Sequence, residues 1–166
     1  MKRFVLLVCA VVFSFGAYAV DAGALFKNYS NVEGVTYVTL SKKSFNLMKP
    51  FLGLDKETKR LFNALNLNQM DMFQIGRDSS VDKERVFAEL SSLCADSTYV
   101  SVRETSDGET EGNSAFLYKV DGDRIVDFVI YALKDGSLVA MRVSCDAELS
   151  RILDILDEMK SDQNSE

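Results

Sequence analysis

The chain has 166 residues, a formal net charge of −6 and no histidine, and 47% of its residues are hydrophobic. This length and hydrophobic content fit one folded domain and exclude a disordered chain. The acidic balance argues against binding to nucleic acid or to anionic lipid surfaces, and no basic stripe is evident. Without histidine, Ser-His-Asp and Cys-His catalysis are excluded, so carboxylates are the main catalytic groups that remain.

The first 19 residues have the three parts of a secretory signal peptide. Two basic residues precede an apolar run over residues 4–15, and the small-residue sequence AYA ends at Ala19. We expect cleavage after Ala19, which would leave an exported protein. A membrane anchor is disfavoured because the uncharged run barely reaches the roughly 17 residues of a minimal span. A lipoprotein acylated at Cys9 is also disfavoured, because a bulky Val8 precedes that cysteine.

The first half of the exported chain predicts alternating helices and strands. Asp21 can cap a short opening helix, and a β-branched and aromatic run over residues 35–40 predicts the first strand. Helical spacing then predicts one helix that Pro50 ends or kinks and a second that Asp55 caps. The sequence MDMFQIGR indicates a second strand, and DSSVDKERVFAELSSLCAD indicates an amphipathic helix.

The second half is rich in β-structure and ends in a helix. Four runs separated by turn signals predict an antiparallel meander: STYVSVRE, AFLYKV, RIVDFVIYALK and SLVAMRVSC. Asp146 is expected to cap the last helix, which has a regular apolar stripe. The prediction is therefore one α+β domain over residues 20–160 and a flexible tail over 161–166. Its sheet is expected to be mixed, to include the C-terminal four-stranded meander, and to carry helices on at least one face.

The order of these elements resembles a known family. The sequence LFKNYSNVEGVTYVTLSKKSFNLM, a short helix, a glycine-led strand and a Ser-Lys helix, resembles the start of the family called domain of unknown function 4252. The resemblance extends over Leu25 to Met159, and its motifs are structural. It implies an envelope protein of Gram-negative bacteria, and it supplies no catalytic motif. Cys94 and Cys145 do not belong to the family pattern.

Metal, cofactor and phosphate motifs are not evident. The two cysteines of the exported chain have no CxxC spacing, neither GxGxxG nor GxxxxGK occurs, and no cofactor is predicted. The sequence VDGDRIVDF brings Asp121, Asp123 and Asp127 close together in sequence. The spacing does not fit a calcium loop, so Asp121 and Asp123 are interpreted as solvated turn residues. Asp127 lies on an apolar strand face, where it is either exposed or in need of a buried partner.

The strand that contains Asp127 is apolar on both faces. Ile125, Asp127, Val129 and Tyr131 share one face by alternation. One interpretation is a central strand covered on both sides. The other is a ligand groove or protein-contact surface formed by these four residues, which are the candidate binding residues.

A separate hypothesis concerns the two cysteines of the exported chain, Cys94 and Cys145. Cys145 should point into the core at the end of the last strand, and Cys94 should lie on the apolar face of its helix. A disulfide between them is plausible in an exported protein. The alternative is two buried free thiols that act as small hydrophobic residues, and a reactive nucleophile is disfavoured.

The leading functional hypothesis is an exported, non-catalytic binding or interaction protein of the envelope or periplasm. Its expected partner is an unknown envelope protein or a small apolar ligand, with no nucleic acid and no transmembrane segment after signal removal. The alternatives are a carboxylate-based hydrolase and a purely structural envelope component. The position of Asp127 distinguishes them: two carboxylates in a deep cleft favour the hydrolase, and a shallow apolar patch favours partner binding.

Overall fold

The computed structural model describes residues 21–102 and 114–163 as one α+β domain. Its helices are α1 (Ala22–Lys27), α2 (Lys42–Met48), α3 (Lys56–Leu65), α4 (Lys83–Ser91) and α5 (Leu149–Gln163). Its strands are β1 (Val35–Ser41), β2 (Gln69–Ile75), β3 (Tyr99–Val102), β4 (Ser114–Asp121), β5 (Arg124–Lys134) and β6 (Ser137–Glu148). The predicted signal peptide, its cleavage after Ala19 and Cys9 lie outside the described residues.

Short polar side chains determine where several helices begin. The Asp21 carboxylate accepts a hydrogen bond from the backbone N–H of Gly23 at 2.9 Å, and Asp55 accepts one from Thr58 at 2.7 Å. Both caps confirm the sequence prediction. Pro50 lies in a 3-10 turn, Lys49–Phe51, that ends the helical run of α2, also as predicted.

The predicted cap of the last helix is wrong. Asp146 lies within β6, which continues to Glu148 before α5 begins. The Asp146 carboxylate instead forms an ion pair with Arg124 on the neighbouring strand β5. This pair and the pairing of Arg124 with Glu148 hold the chain extended, so the strand is longer than a capping aspartate would suggest.

All six strands form one sheet in the order β1-β2-β6-β5-β4-β3. The last four strands are consecutive neighbours, which confirms the predicted meander. Every neighbouring pair is antiparallel, so the expectation of a mixed sheet is wrong in that detail. The reason is that β6 returns from the meander beside β2 and runs in the opposite direction to it.

The β5–β6 hairpin confirms the predicted KDGS turn. Asp135 has a φ of 51° and Gly136 a φ of 72°, which is the left-handed conformation that a two-residue hairpin loop requires. Leu133 pairs with Leu138 and Lys134 with Ser137 next to the turn. The tight turn therefore sets the register of the two longest strands.

Helices pack on both faces of the sheet, and the coverage differs between them. One face, here called the closed face, packs against α1, α4 and the 3-10 turn Ser92–Ala95. Its core contains Phe26, Phe73, Val86, Leu90, Leu93, Leu117, Val129 and Tyr131. The opposite face, here called the open face, packs against α2, α3 and α5 around Ile125, Val143, Cys145 and Ala147, with Met70, Phe128 and Met141 partly buried beside them. Within the described ranges, no helix is long and apolar enough to cross a membrane.

Candidate functional site

A buried ion network crosses three strands on the closed face. Asp71 on β2 and Asp127 on β5 are only 3% and 6% exposed, and both contact Arg142 on the intervening strand β6. The Arg142 Nε donates to Asp127 Oδ2 at 3.0 Å, and its Nη1 lies 3.5 Å from Asp71 Oδ2. The buried partner that Asp127 was expected to need is therefore Arg142.

Neutral donors complete most of the network. Three side chains donate to Asp71 Oδ1: Tyr37 at 3.1 Å, Thr39 at 2.7 Å and Gln69 at 2.9 Å. Tyr99 donates to Asp127 Oδ2 at 2.8 Å. Asp127 Oδ1 is 3.0 Å from Arg142 Nε but accepts no hydrogen bond from any described residue. This oxygen is the one incompletely satisfied buried side-chain atom in the part of the chain that the structure describes.

Burial controls the ionisation of this network. Burial raises the pKa of Asp127 above its ordinary value, although the charge of Arg142 and the hydrogen bond from Tyr99 act in the opposite direction. Burial also raises the pKa of Tyr37 to about 12, and burial and Asp127 together raise that of Tyr99. The tyrosines therefore act as protonated donors at neutral pH. A raised carboxyl pKa is found both in active sites and in structural ion pairs.

The opening beside Asp127 is small and shallow. A depression of about 310 Å³ is lined by Asp21, Ala22, Tyr99, Lys119, Val126, Asp127 and Arg142. Asp71 is not among these residues, because it lies on the far side of Arg142 in strand order. The two buried carboxylates thus converge on a guanidinium and do not face each other across a cleft. Among the described residues, no group of three or more Cys, Asp or Glu side chains is arranged to hold a metal ion.

The four candidate binding residues are part of the core. Ile125, Asp127, Val129 and Tyr131 are 2%, 6%, 0% and 2% exposed, so the hypothesis that they form a contact surface is wrong. The interpretation of a strand covered on both sides holds for this face, on which α1 and α4 pack, but not for the other face, where Ile130 is 38% exposed. The row is also divided: the strand register shifts between Ile125 and Asp127, and Ile125 packs with the second cluster behind the sheet. A β-bulge of this kind interrupts simple alternation.

The cysteines lie in different environments, and both are free thiols in the structure. Cys145 is buried, as predicted, and its Sγ donates to the carbonyl oxygen of Ile125 at 3.4 Å. Cys94 is exposed in the 3-10 turn after α4, and its Sγ lies 3.3 Å from the Tyr131 hydroxyl. The expectation that Cys94 is buried on an apolar helix face is wrong, since the α-helix ends at Ser91.

An apolar row crosses the open face, and three of its five members are exposed. It consists of Val38, Met72, Met141, Ile130 and Phe116, which pair in register across five strands, and is here called the apolar strip. Val38, Met72 and Ile130 are 40%, 38% and 38% exposed. The helices α2, α3 and α5 cover the neighbouring part of the face, and Met141 of the row is partly buried against that cluster. A contiguous apolar row of this kind is unusual on a solvated sheet face.

The sequence predicts an exposed apolar surface on the side of β5 that is buried in the structure. The double apolar character of RIVDFVIYALK was recognised, but the choice of face depends on which helices pack where. The signal that could have found the strip is the apolar residue on the second face of each strand, such as Val38 in β1 and Met72 in β2. The network was missed because Asp71 and Arg142 come together only through the β2–β6 pairing.

Comparison with known proteins identifies a family. A family model described as Domain of unknown function (DUF4252) matches residues 29–155. No curated protein and no solved structure matches the chain. The matched range includes every strand of the sheet, the buried ion network and the apolar strip. The chain therefore belongs to the DUF4252 family, as its resemblance to that family implied.

Proposed function

We propose that the protein is an exported, non-catalytic interaction module of a Gram-negative cell envelope, and that it binds a protein partner through the apolar strip. The observation that carries this proposal is the alignment of apolar side chains across five strands of a face that the helices leave partly open. Removing such a row from water stabilises a complex in proportion to the apolar area that is covered.

The shape of the strip favours a protein over a small apolar ligand. Small-molecule sites are concave and enclose most of the ligand surface. Val38, Met72 and Ile130 instead stand on a sheet and are each exposed by 38–40%. Gln74 on β2 and Ser114 on β4 add polar positions next to the row, as in the rim of a protein interface.

Export rests on the N-terminal sequence. Its basic start, its apolar run and the AYA sequence before residue 20 support removal of a signal peptide. Mass spectrometry of the protein from the cell envelope should give Val20 as the first residue. An intact N-terminus or a lipid on Cys9 would contradict this part of the proposal.

A carboxylate-based hydrolase is the second candidate, and one observation favours it. Asp127 combines a raised pKa with a carboxylate oxygen that accepts no hydrogen bond from a described residue, and it lines a depression. Against it, Arg142 contacts both buried carboxylates, and Asp21, the other acid at this opening, is exposed and accepts a hydrogen bond from Gly23 as the cap of α1. Turnover of a panel of glycosides and esters that is lost in Asp127→Asn would favour the hydrolase over the interaction module.

Site-specific crosslinking tests the interaction module. A photoreactive phenylalanine analogue placed at Ile130, within the strip, should capture a defined envelope protein in living cells. The same analogue at Lys134, which is exposed on the adjacent hairpin, is the matched control. A second change, Met72→Lys, should abolish the adduct at residue 130, because it places a charge in the same row. Equal crosslinking from both positions, or no adduct from residue 130, would contradict a strip-mediated interaction and leave a structural role as the better account.

A further inference from the structure

The corner between α2 and α3 exposes a second apolar group. Leu47, Met48, Phe51 and Leu52 are 67%, 44%, 89% and 44% exposed, whereas Phe45 on the other side of the helix is buried. These four exposed side chains lie within one short stretch of the chain, where α2 passes into the 3-10 turn Lys49–Phe51. A phenylalanine that is 89% exposed has almost no packing contact within its own domain.

Cationic side chains surround the same corner. A depression of about 440 Å³ on α3 is lined by Lys56, Lys59, Arg60, Asn63 and Arg151. The Nζ of Lys49, two residues before Phe51, donates to Asn63 Oδ1 and so lies at the edge of this depression. We call this set of residues the basic corner: the exposed apolar residues 47, 48, 51 and 52, with Lys49, Lys56, Lys59, Arg60 and Arg151.

Nearby acidic groups do not cancel this charge. Glu158 on α5 pairs with Arg60, and Asp154 and Asp157 are exposed on the same helix. Lys49, Lys56 and Lys59 form no ion pair with any residue in the described ranges. Residues 42–60 and the adjoining residues 151–158 of α5 together hold seven basic and five acidic residues, a local charge of +2 in a chain of net charge −6.

The charge close to the basic corner, and not the net charge of the whole chain, determines how the corner interacts with a charged surface. Charges separated by more than about 8 Å are largely screened at physiological ionic strength. The acidic average of the whole chain, which argued against anionic lipid at the level of sequence, therefore does not describe the corner. Exposed Leu, Met and Phe beside Lys and Arg is the pattern of a segment that lies in a bilayer interface.

We propose that the basic corner docks the protein onto an anionic phospholipid bilayer. Phe51, Leu47 and their neighbours insert among the acyl chains near the headgroups, and Lys49, Lys56 and Lys59 contact the lipid phosphates. A bilayer fits better than an acidic protein, because Phe51 projects from a turn and does not line a groove that could hold a partner's side chain. This docking is peripheral and uses residues separate from the apolar strip.

Vesicle flotation tests the proposal. The full sequence is expressed, the N-terminus of the purified protein is determined, and flotation is compared between vesicles of phosphatidylcholine alone and equimolar phosphatidylcholine and phosphatidylglycerol. The protein should float with the anionic vesicles, and binding should decrease as salt is raised. Phe51→Ser should reduce partitioning about tenfold, since the transfer of one phenylalanine side chain corresponds to at least that factor. The double change Lys56→Glu, Lys59→Glu should remove the preference for anionic vesicles.

Matched variants separate this effect from general hydrophobicity and charge. Ile130→Ser in the apolar strip and Lys134→Glu on the β5–β6 hairpin alter exposed residues of the same kinds elsewhere, and both should float like the parent. Phe51→Ser should melt at the parent's temperature, because the side chain is exposed. Flotation that is unchanged in Phe51→Ser, reduced equally by Ile130→Ser, or absent for the parent would overturn the proposal. Loss of crosslinking at residue 130 leaves it standing, because that result concerns the other surface.

Discussion

The two faces of the sheet differ in which polar side chains they bury and which apolar side chains they expose. The closed face buries two carboxylates and a guanidinium beside the start of α1, with Asp71 and Asp127 3% and 6% exposed. The open face leaves apolar side chains in solvent, with Val38, Met72 and Ile130 at 38–40% exposure. A sheet that serves stability alone would place its charges outside and its apolar residues inside.

The buried charges of the closed face and the exposed apolar residues of the open face have different explanations. A buried ion pair is weak evidence for stability, because replacing both partners with apolar residues is often neutral or stabilising. The network does align β2, β6 and β5, since each residue can pair only in one register. The exposed members of the apolar strip, Val38, Met72 and Ile130, contribute less to stability than fully buried side chains do, because much of their apolar surface stays in water. We therefore interpret the closed face as the scaffold and the open face as the contact surface.

Removing the central cation should have the largest effect on the closed face. Arg142→Met leaves Asp71 and Asp127 buried without a countercharge, and we expect a loss of about 3–5 kcal/mol in the free energy of unfolding. Chemical denaturation at neutral pH measures it. Arg85→Met is the matched control, because Arg85 pairs with Glu89 on the exposed side of α4 and should change stability little.

The pH dependence of Arg142→Met identifies the cause of the loss. Burial already raises the pKa of Asp127, and without the charge of Arg142 its folded-state pKa should rise further above the unfolded value, so the folded state binds more protons. Stability should then recover as the pH falls from neutral toward the unfolded carboxyl pKa of about 4. A deficit that stays constant over that range would indicate lost packing and not uncompensated charge.

Truncation of a large apolar side chain to alanine should destabilise the protein much more on the closed face than on the open face. Leu117→Ala removes a fully buried side chain from the closed face and should cost about 2–5 kcal/mol. Ile130→Ala on the neighbouring strand, 38% exposed on the open face, should cost less than about 1 kcal/mol. Urea denaturation of both variants gives the comparison. Equal costs would show that the strip contributes to stability, which would weaken its assignment as a contact surface.

Local sequence signals were sufficient for most of the fold. The capping aspartates, Pro50 and the KDGS turn act within a few residues of themselves, so the elements and the C-terminal meander could be predicted. The candidate site could not, because it depends on long-range contacts. Whether Ile125 or Ile130 is covered is decided by helices far away in the chain, and the bulge next to Asp127 moves Ile125 into a different cluster. Asp146 was misassigned since its partner, Arg124, lies across the β5–β6 hairpin.

The ionisation of Asp127 gives a smaller and more specific effect. Burial raises its folded-state pKa, so the protonated carboxyl is favoured in the fold relative to the unfolded chain. Lowering the pH through this folded-state value toward about 4 should therefore stabilise the parent relative to Asp127→Asn, which cannot titrate. Chemical denaturation of both proteins at pH values from neutral down to about 4 measures the difference in their free energies of unfolding. If the parent instead loses stability relative to Asp127→Asn as the pH falls, the charge of Arg142 outweighs burial in setting the pKa of Asp127.

The cysteines should differ in reactivity without changing the fold. Cys94 is exposed, whereas Cys145 is buried on the covered part of the open face, and burial raises the pKa of the Cys145 thiol to about 12. Because only the thiolate reacts, a thiol reagent at neutral pH should label Cys94 in the native protein and Cys145 only after unfolding. Labelling after denaturation without reductant should reach both residues, as expected for two free thiols with separate partners. Protection of both residues in that denatured sample would instead establish the disulfide that the sequence left open, and the covered part of the open face would then have to open far enough for Cys145 to reach Cys94.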